Sequence, residues 1–233
     1  MDELGSNTGF PGASAAHYKL DQRVFEQHLD ILSTSNPAIE LTFDDCGASA
    51  RWIADQLEAR GMRGLFFAPT AFIDKRGFCS VDDLRAIRKS GHLIGSHSHT
   101  HPIPISALPP QSLLDEWQKS RLCLEDWLGE QVRCASVPGG FLSSSVLDAL
   151  SAADYTTVFT SEPLRSESKY GELTLIGRYS VTRASSLDEL RSVAAGNQWP
   201  WIRQRLLWGA KRMVKRIGGR AWLQLREKVF ESR

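Results

Sequence analysis

Asp44 and Asp45 close an apolar run, Ile39-Glu40-Leu41-Thr42-Phe43, and some fifty residues later His97-Ser98-His99-Thr100-His101 puts three imidazoles into five positions. Two adjacent carboxylates cannot both ionise cheaply, because each raises the pKa of the other. A divalent cation resolves the conflict by binding one and leaving the other as a general base. Taken alone, Asp44-Asp45-Cys46-Gly47 also reads as a turn with a helix-capping aspartate. The histidines allow two geometries. On a helical turn His97 and His101 share a face. On an extended strand His97, His99 and His101 do. The first gives an Asp-His-His site with open positions and the second a three-histidine site, and both suit zinc with a water ligand. The competing reading is a polar loop stopped by Pro102 and Pro104, which leaves so dense a run of histidines without a purpose.

These residues need elements to position them. Asp21 is placed to cap a helix carrying Val24, Phe25, His28, Leu29 and Leu32 on one face. After Pro37, strands and helices alternate. Strands are predicted at 39–43, 65–67, 93–95, 134–137, 156–159 and 173–176. Helices are predicted from Ser49 to a stop at Gly61, from Ser80 to Ser90, from Gln111 to a stop at Gly129, and from Ser143 to Ala153. Such alternation means βα units around a largely parallel sheet. Asp44/Asp45, His97/His101, Pro138-Gly139-Gly140 and Ser161-Glu162 all fall just after strands, the end at which a parallel barrel builds its active site. The glycines after Pro138 would let backbone N–H groups approach a ligand as an oxyanion hole, although a tight turn needs the same residues. His92, just before a strand, reads as a structural histidine bonded to a neighbouring loop.

The chain has 233 residues, 42% of them hydrophobic, and a net charge of +1. One sizeable core fits that length, and no global field points to nucleic acid. The charge is uneven. Residues 201–233 hold ten Lys/Arg against Glu227 and Glu231, a balance of +8 that leaves −7 for the rest. Trp199, Trp201, Trp208 and Trp222 interleave with that tail, which reads either as helices packed on the body, separated at Gly218-Gly219, or as a segment lying on an anionic membrane surface. No apolar stretch approaches a membrane span, no signal segment precedes Tyr18, and four cysteines lack framework spacing. A cytoplasmic protein is expected.

Together these residues resemble the polysaccharide deacetylases, the NodB-homology group of carbohydrate esterases. Thr42-Phe43-Asp44-Asp45 is similar to the family's TFDDG motif. His97-Ser98-His99-Thr100-His101-Pro102 is similar to its H-[ST]-x-x-H motif followed by proline, and Leu65-Phe66-Phe67-Ala68-Pro69 resembles the strand between them. The resemblance covers about residues 20–182. It implies a distorted (β/α) barrel of parallel strands over 18–198, with 1–17 as a flexible leader and 199–233 as a basic, Trp-rich helical extension. It implies Asp44 as general base, Asp45, His97 and His101 as zinc ligands, and His99 on a variable position, which favours the helical turn. The implied reaction removes N-acetyl groups from an N-acetylhexosamine in a polysaccharide or lipid-linked glycan, in exopolysaccharide or glycolipid synthesis and at the inner face of a membrane if the tail binds there.

The departures are as informative. Cys46 replaces the glycine after the aspartates. The family's R-x-P-x-G motif appears as Ser136-Val137-Pro138-Gly139-Gly140, without the arginine that pairs with the base, and Arg178 is the candidate to supply that charge from another strand. No histidine follows His101, so the family's general acid is absent. Glu162 is a candidate substitute. The remaining alternatives are an amidohydrolase acting on a small amide and a non-catalytic carbohydrate-binding protein that keeps its metal.

Overall fold

The computed structural model describes residues 3–4, 8–35 and 39–209. Short strands β1 (Glu3–Leu4) and β2 (Lys19–Leu20) pair in parallel around helix α1 (Ala13–Ala16), and α2 (Gln22–Ser35) follows. Then come β3 (Leu41–Phe43), α3 (Ala50–Glu58), β4 (Gly64–Ala68), α4 (Val81–Lys89), β5 (Leu93–Ser96), α5 (Pro110–Leu128), β6 (Cys134–Ser136), α6 (Ser144–Ala152), β7 (Thr157–Phe159), β8 (Ser168–Tyr170), β9 (Leu173–Ile176) and α7 (Leu187–Ala194). The main sheet has the order β3-β4-β5-β6-β7-β9-β8 and is parallel except for β8, which runs antiparallel to β9. It is a half-barrel with helices, the distorted barrel that the resemblance implies.

The boundaries have local causes. Ser80 and Asp83 form a reciprocal capping box at α4, and Ser143 caps α6 through the Val146 N–H. Gly129 ends α5 in the left-handed conformation, at φ 69°. Besides the N-terminal β1, α1 and β2, two elements lie outside the predicted set. The first is β8, three exposed or half-exposed residues, Ser168-Lys169-Tyr170, turned back onto β9 by Gly171 and Glu172, so no apolar alternation announces it. The second is α7, whose start, Ser186-Leu187-Asp188-Glu189, has the S-x-x-E capping spacing, and Ser186 accepts the Glu189 N–H.

Period-two alternation on β4 separates the packing. Phe66 and Ala68 join Phe43, Ile53, Leu84, Phe25 and Leu29 under α2, α3 and α4, and α7 adds Leu190 and Ala194 to that cluster. Leu65 and Phe67 face the other way and meet Phe159. A third cluster packs Ala135 and Val158 of the sheet against Trp117 of α5 and Leu150 of α6.

Residues 8–17, expected as a flexible leader, lie against the body. Lys19 is buried, its Nζ donating to the carbonyls of Thr8 and Phe10 at 2.6 and 2.7 Å, and the Ser49 N–H donates to Thr8 Oγ1 at 3.2 Å. At the other end a helix runs from 199 to 209. The expected break at Gly218-Gly219, Trp222 and the basic residues from Lys211 onward fall outside the described residues.

Candidate metal centre

Asp44 and Asp45 follow directly on β3, which ends at Phe43. Asp45 and Cys46 then turn sharply, at φ 74° and 44°. Two left-handed non-glycine residues in succession cost on the order of 1–3 kcal/mol each, which explains why a glycine suits the position of Cys46. Here the thiol side chain is buried in the core cluster under α3, and the Cys46 carbonyl accepts from the Cys79 N–H.

The histidines follow β5 in an irregular loop, where a helical turn was expected. Ser98 and His101 adopt φ 63° and 52°, which no right-handed turn accommodates. Side chains hold this shape. Ser98 Oγ accepts from the His101 N–H at 3.1 Å. Glu116 of α5 accepts the N–H groups of His99 and Thr100 at 3.0 and 2.8 Å. His99 is drawn aside, its Nδ1 2.8 Å from Thr70 Oγ1.

The loop delivers His97 and His101 to Asp45. Asp45 Oδ1 lies 3.5 Å from His97 Nε2 and 3.4 Å from His101 Nε2, and the three donor atoms fall within 4.8 Å of one another. His97 Nδ1 is 2.9 Å from the Ser136 carbonyl. A carbonyl only accepts, so Nδ1 carries the proton and Nε2 keeps its lone pair towards the cluster. Burial lowers both pKa values. For His97 the Asp44 charge and the Ser136 carbonyl oppose that shift. His101 is brought down to about 3, with His97 adding to burial and Asp44 opposing. Neutral imidazoles and one carboxylate, buried and convergent, fit a divalent transition metal with an open position. Phe10, from the segment expected to be loose, stacks on the His101 ring with centroids 4.4 Å apart and 24° between planes.

Arg178 enters from beyond β9. Its guanidinium forms a bidentate pair with Asp44, Nη1 to Oδ1 at 2.8 Å and Nη2 to Oδ2 at 2.9 Å. The remaining donors reach Thr42 Oγ1, Ser136 Oγ and the Thr160 carbonyl at 3.1, 2.8 and 3.2 Å. The guanidinium also lies over the Phe67 ring, its Cζ 5.6 Å from the centroid. Burial pushes the Asp44 carboxyl up, but the Arg178 charge, His97 and the hydrogen bonds outweigh it and hold the group below the usual carboxylate range. Ser136 stands where the family motif has its arginine. Its hydroxyl receives the arginine supplied by the other strand, and its carbonyl orients His97.

Two other expectations meet a different geometry. Pro138 has no N–H, and the Gly140 N–H donates to the Val137 carbonyl at 3.1 Å, so neither serves as an oxyanion donor. Gly139 and Gly140, at φ 58° and 66°, form a tight turn packed against Phe141 and Ser161. Glu162 meets Arg178 through the backbone, its carbonyl accepting the Arg178 N–H at 3.0 Å. Its carboxylate forms no ion pair or hydrogen bond with Asp44, Asp45, His97 or His101. Phe10, Thr42, Glu116 and Ser136 take part without having been predicted. Thr42 and Ser136 carried a readable signal, each as the first position of its motif, unaltered at Thr42 and altered at Ser136.

The sequence pattern described as polysaccharide deacetylase matches residues 32–158. None of the curated proteins matches the chain. Among solved structures it is similar to IcaB from Ammonifex degensii, with 21% identity, 86% of this chain and 96% of that one covered, and a TM-score of 0.65. It is also similar to BC0361, a polysaccharide deacetylase from Bacillus cereus (17% identity, 83% and 67% covered, TM-score 0.70). A third is the deacetylase PplD of Streptococcus pyogenes, in complex with acetate (14% identity, 80% and 94% covered, TM-score 0.64).

Proposed function

The chain belongs to the polysaccharide deacetylase family, and from that premise we propose that it is a metal-dependent N-deacetylase of an N-acetylhexosamine in a polysaccharide or lipid-linked glycan. The observation that carries this reading is a carboxylate held ionised by Arg178 directly beside a carboxylate–imidazole–imidazole donor set. Asp45, His97 and His101 would hold the ion, with zinc the best match to two imidazoles and one carboxylate. Such an ion supplies Lewis acidity and makes a water more acidic.

The remaining work falls to side chains. Asp44 accepts a proton from the water that attacks the acetamide carbonyl. Arg178 holds both Asp44 oxygens, fixing the base's orientation and keeping it deprotonated between turnovers. Ser136 sets the His97 tautomer and anchors Arg178. The products are acetate and a free amine. Glu162 stays a candidate acid only if its loop moves, since its carboxylate is not paired with the site in this arrangement. We place the enzyme in the cytoplasm, in glycan synthesis, with residues 199–233 touching the anionic inner face of a membrane.

Asp44→Asn is the direct test. It should retain metal binding within a few-fold and lower acetate release by about a thousandfold. Undiminished release rejects the base assignment. One observation favours a second reading, a metal-holding glycan-binding protein: no histidine follows His101. No release from a panel of N-acetylated glycans and lipid-linked sugars, with metal bound and chelator as control, would select it. Release from small amides alone would select an amidohydrolase.

A further inference from the structure

The helix at 199–209 has two faces of unlike fate. The inner face is fastened to the body. The Trp201 ring lies 5.4 Å from Tyr179, and Gln204 takes both backbone groups of Ser180, each at 2.8 Å. Arg203 pairs with Glu189 of α7 at 2.6 Å. Trp201, Gln204 and Trp208 recur at helical spacing and are half-buried. A helix held this way cannot turn its other face inward.

That other face is apolar apart from Arg203, which lies between Trp199 and Leu207 at helical spacing and is drawn aside to Glu189. Trp199, Ile202, Leu206 and Leu207 are 68, 45, 68 and 57% exposed, four of the seven exposed large hydrophobic side chains among the described residues. Positions 199, 202 and 206 form one stripe and Leu207 lies beside it, on the side that a surface helix ordinarily makes polar. The stripe begins the segment that carries +8, with Arg205 adjacent and Lys211, Arg212, Lys215 and Arg216 following in sequence.

We propose that this face docks on an anionic lipid surface, the helix lying in the interface plane with Trp199, Ile202, Leu206 and Leu207 entering the headgroup–acyl boundary. The inference rests on the membrane contact proposed above and assigns it to one helix face. Charge selects the occupant. A second copy would bring +8 against +8, whereas an anionic leaflet attracts the basic residues while its acyl boundary accepts the stripe. No helix among the described residues is long and apolar enough to cross a membrane, which suits a helix lying on one.

Vesicle flotation of the full chain tests this. The parent should float with phosphatidylcholine vesicles containing about one-third phosphatidylglycerol and stay behind with phosphatidylcholine alone. The double variant Ile202→Glu/Leu206→Glu, which alters no side chain of the inner face, should keep its thermal melt and its acetate release from a soluble glycan. Its bound fraction should fall at least about tenfold, as expected when apolar insertion is lost. Lys211→Gln/Arg212→Gln/Lys215→Gln/Arg216→Gln should weaken flotation and flatten its salt dependence. If the double variant floats like the parent, the stripe assignment is overturned while contact through charge survives. A parent that does not float removes both. A concentration-dependent dimer abolished by the double variant, without flotation, makes the face a self-association surface and overturns the proposal.

Discussion

The half of the sheet comprising β3, β4 and β5 and the half comprising β6, β7 and β9 form opposite sides of one site by different means. The first half presents its donors from short contiguous stretches, 44–45 and 97–101. Local chain geometry aims them, through left-handed backbone at Asp45, Cys46, Ser98 and His101. The second half presents one guanidinium, aimed by four acceptors scattered over three segments, Thr42 with Asp44, Ser136, and Thr160. A site aimed by its own loop tolerates little change within the loop. A site aimed by convergence can have its key residue supplied from another strand, as the serine at 136 and the arginine at 178 suggest.

The largest expected effect breaks the first half. Asp45→Asn or His101→Gln should lower zinc affinity about a hundredfold or more, read by competition with a chelating dye. Arg178→Ala should leave that affinity within a few-fold. Its own effect lies elsewhere. Asp44 then loses the Arg178 charge and hydrogen bonds that oppose its burial, so its pKa should rise and carry the acid limb of the kcat/KM profile upward. Denaturant melts at neutral pH should show a loss of about 3 kcal/mol, the usual penalty for stranding one member of a buried ion pair. The double variant Ser136→Arg/Arg178→Ala sharpens the comparison. If convergence is what matters, an arginine from β6 should bring the acid limb back down. A limb that stays high would mean that the β9 position is itself required.

Legibility in the sequence follows the same division. The six parallel strands announce themselves through apolar runs, and the donors through contiguous motifs. Arg178 is readable only as a lone cation after a predicted strand, because its partners are separated from it by up to 136 positions. The loop carrying His97 and His101 reads wrongly as a helical turn, since i,i+4 spacing does not reveal that Glu116, from a helix further on, captures two of the intervening N–H groups. Gly140 looks like an anion-binding glycine, although its N–H is taken by the Val137 carbonyl, because turn chemistry and oxyanion chemistry need the same residues.

Phe10 gives the comparison a third member, since it reaches the first half from outside the segment that matches the family pattern. It also meets Phe72 and Phe78 edge-on, at 4.7 and 5.0 Å. If its stacking fixes the plane of His101, Phe10→Ala should weaken zinc binding about tenfold, the scale of losses at groups supporting a ligand. It should also broaden the visible spectrum of the cobalt-substituted protein, with Phe10→Tyr restoring both. Equal affinity and spectrum in Phe10→Ala would make the ring a packing residue only.

The smallest effect separates histidines poised for a ligand from one used as a staple. His92 is buried, its Nδ1 accepting from the Gly64 N–H at 3.1 Å, so Nε2, 3.1 Å from the Ala54 carbonyl, carries the proton. It ties the start of β4 to α3 in the neutral form only. Burial lowers its pKa, with Arg63 adding and the Ala54 carbonyl opposing. The unfolded chain therefore takes up a proton below about pH 6.5 that the folded chain refuses. Stability is complete above that pH and falls as the pH drops towards the folded value, by up to about 1.4 kcal/mol per unit for each such group. His97 and His101 titrate in the same sense, but saturating zinc should alter their share and leave that of His92 untouched. Denaturant melts between about pH 5 and 8, with and without zinc, should show His92→Gln removing about one proton's worth of slope under both conditions. A slope that His92→Gln changes only in the metal-free protein would tie this histidine to the metal centre after all.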